Sequence, residues 1–154
     1  MEYLIVKWLH ILSSTLLFGT GLGSAFYMFF ASLTRDPRVI ATVVRYVVIA
    51  DYAFTTPTVI LQPATGFYMM HLVGFPLGST WIAASIALYL LAGACWLPVV
   101  WMQIKMRDMA ATANAGGTEL PQRYWTFFKW WIALGIVAFL ALVVVFYLMV
   151  AKPA

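Results

Sequence analysis

Residues 3–33 read YLIVKWLHILSSTLLFGTGLGSAFYMFFASL. The stretch contains no acid, and Lys7 is its only permanently charged side chain. A helix needs about 20 apolar residues to cross a bilayer, and this run exceeds that. It therefore predicts a membrane-spanning helix. One residue inside it, His10, is polar, ionisable and a common metal ligand. Ionisable groups at membrane depth are costly and are usually retained for a function.

The rest of the chain repeats the pattern. Three further apolar runs are long enough to cross, giving spans at about 3–33, 40–73, 80–105 and 122–151. Of the 154 residues, 64% are hydrophobic and 9% are charged, whereas soluble domains are about half apolar and a quarter charged. The expected fold is an all-α membrane protein, a single four-transmembrane-helix bundle in a lipid bilayer. The net charge of +4 comes mainly from residues at span ends, which argues against a nucleic-acid partner. Cys95 is the lone cysteine, so an intrachain disulfide and a cysteine-based metal cluster are excluded. Met1-Glu2-Tyr3 lacks the basic start of a signal peptide, and the first span is expected to be retained. No phosphate-binding glycine loop, zinc signature or catalytic triad pattern is present.

Basic residues flank two of the three breaks. Arg35, Arg38 and Arg45 lie by the first, and Lys105, Arg107 and Arg123 by the third. The second break, residues 74–79, has none. The positive-inside rule then predicts the first and third loops in the cytoplasm and both termini outside. His10 and His71 fall on the outer side. The expected location is a bacterial cytoplasmic (inner) membrane. The aromatics Tyr124, Trp125, Phe127, Phe128, Trp130 and Trp131 read as an interfacial belt. Residues 115–121, with two glycines and a proline, read as the most mobile part.

Helical spacing places Tyr3, Lys7, His10, Ser14, Gly21, Ser24 and Met28 within about 60° of one another. This stripe is expected to face the bundle or a cofactor. Gly19, Gly21 and Gly23 would let a neighbouring helix or a flat ring approach the backbone. Span two carries a second stripe, Asp51, Thr55, Thr58 and Gln62. Asp51 is the only acid well inside a span and needs a partner or a proton. Lys129 in span four is the expected partner, because Arg45 lies outside helical pairing distance. Pro57 and Pro63 predict kinks. His71 points away from the Asp51 stripe by about 160–180° on an ideal helix. Span three is rich in small residues, as close helix packing requires. Met69, Met70, Met102 and Met106 are soft side chains that either fill space or supply an axial ligand.

Several stretches resemble the bacterial membrane family called domain of unknown function 2269. They are Lys7-Trp8-Leu9-His10-Ile11-Leu12-Ser13-Ser14, Phe18-Gly19-Thr20-Gly21-Leu22-Gly23, Pro63-Ala64-Thr65-Gly66 with His71, Leu91 to Pro98, and Tyr147 to Pro153. The opening, Tyr3 to His10, is also similar to the first helix of the HemJ family of haem-binding protoporphyrinogen oxidases and to the copper-resistance CopD membrane domain. The HemJ resemblance implies haem b held by His10. That family's later-helix histidine has no counterpart in span three, which offers only Lys105.

Three functions are compatible with these readings. The first is a b-type haem protein in electron transfer or porphyrin handling. Its axial ligand would be His10, with His71 as second ligand or Lys7 as ligand or propionate partner, and with Ser14 and Gly21 lining the site. A redox partner or a homo-oligomer through small-residue faces would go with it. The second is a non-catalytic subunit or small transporter with a polar path along span two. The third is copper handling by His10, His71 and methionines.

Overall fold

The structure is a computed structural model that describes residues 1–153. It consists of helices alone: α1 (Glu2–Leu33), α2 (Pro37–Ala50), a π-helical turn (Asp51–Thr55), α3 (Thr56–Val73), α4 (Thr80–Gly116) and α5 (Gln122–Ala151). The segment from α2 to α3 is one continuous rod, Pro37–Val73, so four helices are long and apolar enough to span a membrane.

Local chemistry sets the helix ends. Asp36 caps α2 by accepting a hydrogen bond from the Arg38 backbone N–H at 2.8 Å, and Pro37 occupies the first helical position. This is the expected helix start, an oxygen cap followed by a residue with no N–H to leave unpaired. Gly74 and Gly117 close α3 and α4 in the left-handed conformation, which glycine adopts without steric cost.

Two expected features differ. The third span does not stop near Lys105. It continues as helix to Gly116, 37 residues in all, or about 55 Å at 1.5 Å per residue. The supposed mobile stretch is thus helical up to Gly116. The extension is retained because Met106, Ala110 and Ala113 are buried, so its apolar face is used. The aromatics opening α5 are also only partly a belt. Tyr124, Phe128 and Trp131 are buried, with Phe128 stacked on Trp131 at 5.8 Å between centroids. The i, i+4, i+7 spacing of these three makes them core, while Trp130 is exposed.

The helices pack in an uneven ring. α4 lies against α2 and α5, and α1 against α2 and α3. α1 and α5 are joined chiefly by aromatic rings. Phe18 stacks on Phe139 at 5.2 Å and Phe29 on Phe128 at 5.9 Å. The principal core lies at the end of the bundle bearing the first and third loops. There Met28, Ile40, Val44, Met106 and Tyr124 are fully excluded from the surface.

Candidate functional site: an interhelical cavity with an acidic pole

Pro57 explains the shape of the middle rod. A proline inside a helix has no N–H and clashes with the carbonyl four residues earlier. The turn immediately before it widens to a π-helix, and the Thr56 N–H bonds the Asp51 carbonyl oxygen five residues back. The Thr56 hydroxyl donates to the same oxygen at 2.9 Å. Such π-turns are rare and are enriched at functional sites. This one carries Asp51.

Asp51 is 5% exposed. The Thr55 hydroxyl donates to its Oδ1 at 2.8 Å. Across the bundle, Gln103 on α4 donates its amide N–H to Oδ2 at 2.7 Å and accepts from the Trp131 indole N–H at 3.2 Å. This amide orientation is assigned from the network, because the reverse would set acceptor against acceptor and donor against donor. The three helical segments are thereby tied together by polar contacts in an otherwise apolar interior. Lys129 is not part of this arrangement. It is exposed, and the only ion pair among the described residues is Arg107 with Asp108. Lys129 falls outside the 124/128/131 core stripe of α5, so it turns away from the interior that Asp51 faces.

Asp51, Thr55, Gln103 and Trp131 line one part of a cavity of about 360 Å³. Apart from Ser24 and Tyr89, the remaining wall is apolar and comes from α1, α3, α4 and α5. Three glycines widen it: Gly21, Gly93 and Gly135. A Cβ built at any of them meets no other atom within 4 Å. Of the two expected uses of the α1 glycines, a close helix approach is not seen, because a Cβ at Gly19, Gly21 or Gly23 meets nothing within 4 Å. Gly21 instead faces open space in the cavity. The tyrosine on the wall, Tyr89, donates its hydroxyl proton to the Val59 carbonyl at 2.7 Å.

His10 lies elsewhere, at the contact of α1 with α3. Its Nδ1 is 2.8 Å from the Thr65 hydroxyl oxygen. The Thr65 hydroxyl has one proton, and the Leu61 carbonyl is within its reach at 2.7 Å. With the Thr65 proton on the Leu61 carbonyl, Nδ1 is the donor and the neutral ring keeps its Nε2 lone pair; with that proton turned to Nδ1, the ring is the other tautomer. Gly66 makes this seat possible, since a Cβ there would come within 3.4 Å of the imidazole Cε1. Thr65 extends the Asp51 stripe by one more step, a continuation that the spacing could have revealed.

The other predicted site residues do not gather around His10. His71 is exposed near the end of α3, six residues beyond Thr65, or about 9 Å along the helix. Lys7 is exposed and joins no ion pair among the described residues. Ser14 donates to the Ile11 carbonyl of its own helix at 2.7 Å. Among the described residues, no group of three or more His, Cys, Asp or Glu side chains could hold a metal ion. Met102 and Met106 belong to the core, and Cys95 is a buried free thiol. Gln62 keeps its place on the stripe, with its amide oxygen buried and without a hydrogen-bond partner.

Four long apolar helices and a polar cluster walled inside them define a polytopic helical membrane protein. The chain belongs to the family described as predicted integral membrane protein, DUF2269, which matches residues 4–153. No curated protein and no solved structure matches it.

Proposed function

We propose that this membrane protein binds a small lipophilic molecule within the bundle, as a carrier or accessory subunit does, with the polar end of the ligand at Asp51 and Gln103. The observation that carries this reading is the coincidence of the cavity with the buried Asp51–Gln103–Trp131 network. Small-molecule sites are typically apolar hollows with a few converging polar groups. Non-helical or widened backbone at membrane depth marks such sites in transporters. A diazirine-bearing lipophilic probe, irradiated with the protein in lipid nanodiscs, tests it. Labelling should concentrate on peptides carrying Gly93 and Gly135, and excess unlabelled probe should suppress it. Unsaturable labelling confined to outward residues such as Leu97 and Tyr147 would refute the reading.

One observation favours a second reading, a b-type haem held by His10. The Thr65 contact fixes the ring, as partners of metal-bound histidines do, and in the tautomer with Nδ1 as donor Nε2 is the ligating atom. The residues present fit a single imidazole ligand. His71 is exposed and no histidine lines the cavity, so a second axial ligand is not supplied by the pair. Haem would bring redox or porphyrin chemistry, and His10 would hold it. Purified, haem-supplemented protein should then show a Soret band that His10→Ala removes. A flat spectrum eliminates this reading and leaves the cavity proposal untouched.

We also propose that both termini face outward in a bacterial inner membrane, on the basic bias of the first and third loops. A reporter fused at Gly116 should score as cytoplasmic. A periplasmic score reverses the orientation.

A further inference from the structure

We infer that the cavity selects a lipophilic monocation, a hydrophobic amine or an organic onium ion, with Asp51 as its counter-ion. This rests on the cavity reading above and names its ligand class.

The argument begins with charge. Asp51 is the only acid deep in a span, and its two oxygens receive hydrogen bonds from neutral groups, Thr55 and Gln103. A buried carboxylate is strongly disfavoured unless it meets a positive charge or takes up a proton. None of the nine Lys and Arg side chains lines the cavity, and neither histidine does. A positive charge for the ionised form of Asp51 is thus not supplied by the described residues. The cavity beside Asp51 has room for it.

The walls agree with that charge. Trp96, Trp131, Phe18, Phe29 and Tyr89 line the same space. Aromatic faces attract cations, most strongly when water is excluded. The Tyr89 hydroxyl and the Trp131 indole each donate to protein acceptors, Val59 and Gln103. Their protons are therefore not aimed at a ligand. An anionic ligand would meet the carboxylate without a compensating base, and a neutral apolar ligand would leave it to be neutralised by a proton alone. A greasy cation satisfies both the pole and the walls.

The test uses the full chain in lipid nanodiscs, with tetraphenylphosphonium and its neutral isostere tetraphenylmethane as probes. Equilibrium dialysis, with empty nanodiscs subtracted, gives the affinities. The wild type should bind the phosphonium at least tenfold more tightly than the neutral probe. Asp51→Asn should lose that preference, and Asp51→Glu should keep part of it. Circular dichroism checks that the variants are folded, and the wild-type ratio needs no variant at all. If both probes bind equally and both are displaced by Gly135→Leu, the cation inference falls and the cavity reading stands. If neither binds, both fall. If Asp51→Asn holds the phosphonium as tightly as wild type, Asp51 is not the counter-ion and the inference is overturned.

Discussion

The two halves of the bundle are built from the same four helices and pack in opposite ways. At the end bearing the first and third loops, large side chains interlock. Met28, Ile40, Val44, Met106 and Tyr124 are fully covered, and Ser32 and Tyr124 share a buried hydrogen bond at 2.7 Å. Toward the other end, near Asp51, glycines replace knobs on three helices and the rod between α2 and α3 bulges. The walls stand apart around a cavity. In a membrane, lipid tails are as apolar as leucine, so helix association relies on close packing and polar contacts rather than on burial from water. One half therefore supplies the association. The other is free to leave space, because α2 and α4, locked together at the packed end, hold its walls in place.

The largest difference should appear when one apolar side chain is truncated in each half, a buried one at the packed end and a cavity-lining one at the other. Met106→Ala opens a void in the packed end, and buried methionine truncations cost about 2–5 kcal/mol. Ile136→Ala, on a cavity-lining residue that is 54% exposed, should change stability by no more than about 0.5 kcal/mol. Denaturant titration in mixed micelles measures both. Equal losses would mean that the halves are packed alike.

Next in size is the polar tie between the halves. Gln103→Leu strips partners from both the Asp51 carboxylate and the Trp131 indole, and a buried group left unpaired costs about 1–3 kcal/mol. Because Asp51 and Gln103 touch, Asp51→Asn and Gln103→Leu together should depart from additivity by about 0.5 kcal/mol or more. Lys129→Ala should add simply to either one. Coupling between Asp51 and Lys129 in a thermal-stability cycle would restore the ion pair expected from sequence and contradict the network.

A smaller effect sharpens the account of the packed end. Tyr124→Phe removes one neutral hydrogen bond, leaves the Ser32 hydroxyl unpaired and should cost about 1 kcal/mol. The double change Ser32→Ala with Tyr124→Phe should recover part of that loss, since removing both partners of a buried bond is often tolerated. A double variant worse than the sum of the singles would show that the hydroxyls do more than pair with each other.

What was legible in the sequence follows from periodicity and hydropathy. Four spans could be read because each is a long apolar run. Asp51 stood out as an acid among them. The extension of α4 was not legible, because Lys105, Arg107 and Asp108 look like a span end unless the apolar stripe Met102, Met106, Ala110 and Ala113 is followed through them. Gln103 could have been noticed as the one amide in an apolar stretch. Trp131 could not be singled out among the six aromatics of residues 124–131, since only the fold selects which of them turns inward. The Lys129 pairing failed for a related reason. Depth along a helix can be counted from sequence, but the facing of two separate helices depends on how they pack. The same limit applies to His10 and His71, which share a side in the predicted topology but sit on different surfaces of α1 and α3.

The most direct test of the account fills the cavity and leaves the packed end alone. Gly135→Leu places a side chain where a Cβ meets no neighbour within 4 Å and improves local helix propensity by up to about 0.8 kcal/mol. Binding of tetraphenylphosphonium to this variant in nanodiscs, measured beside its thermal unfolding, is the decisive comparison. The account predicts stability within about 1 kcal/mol of wild type and loss of saturable binding. Saturable binding at wild-type affinity in a folded Gly135→Leu protein would show that the cavity is not the site.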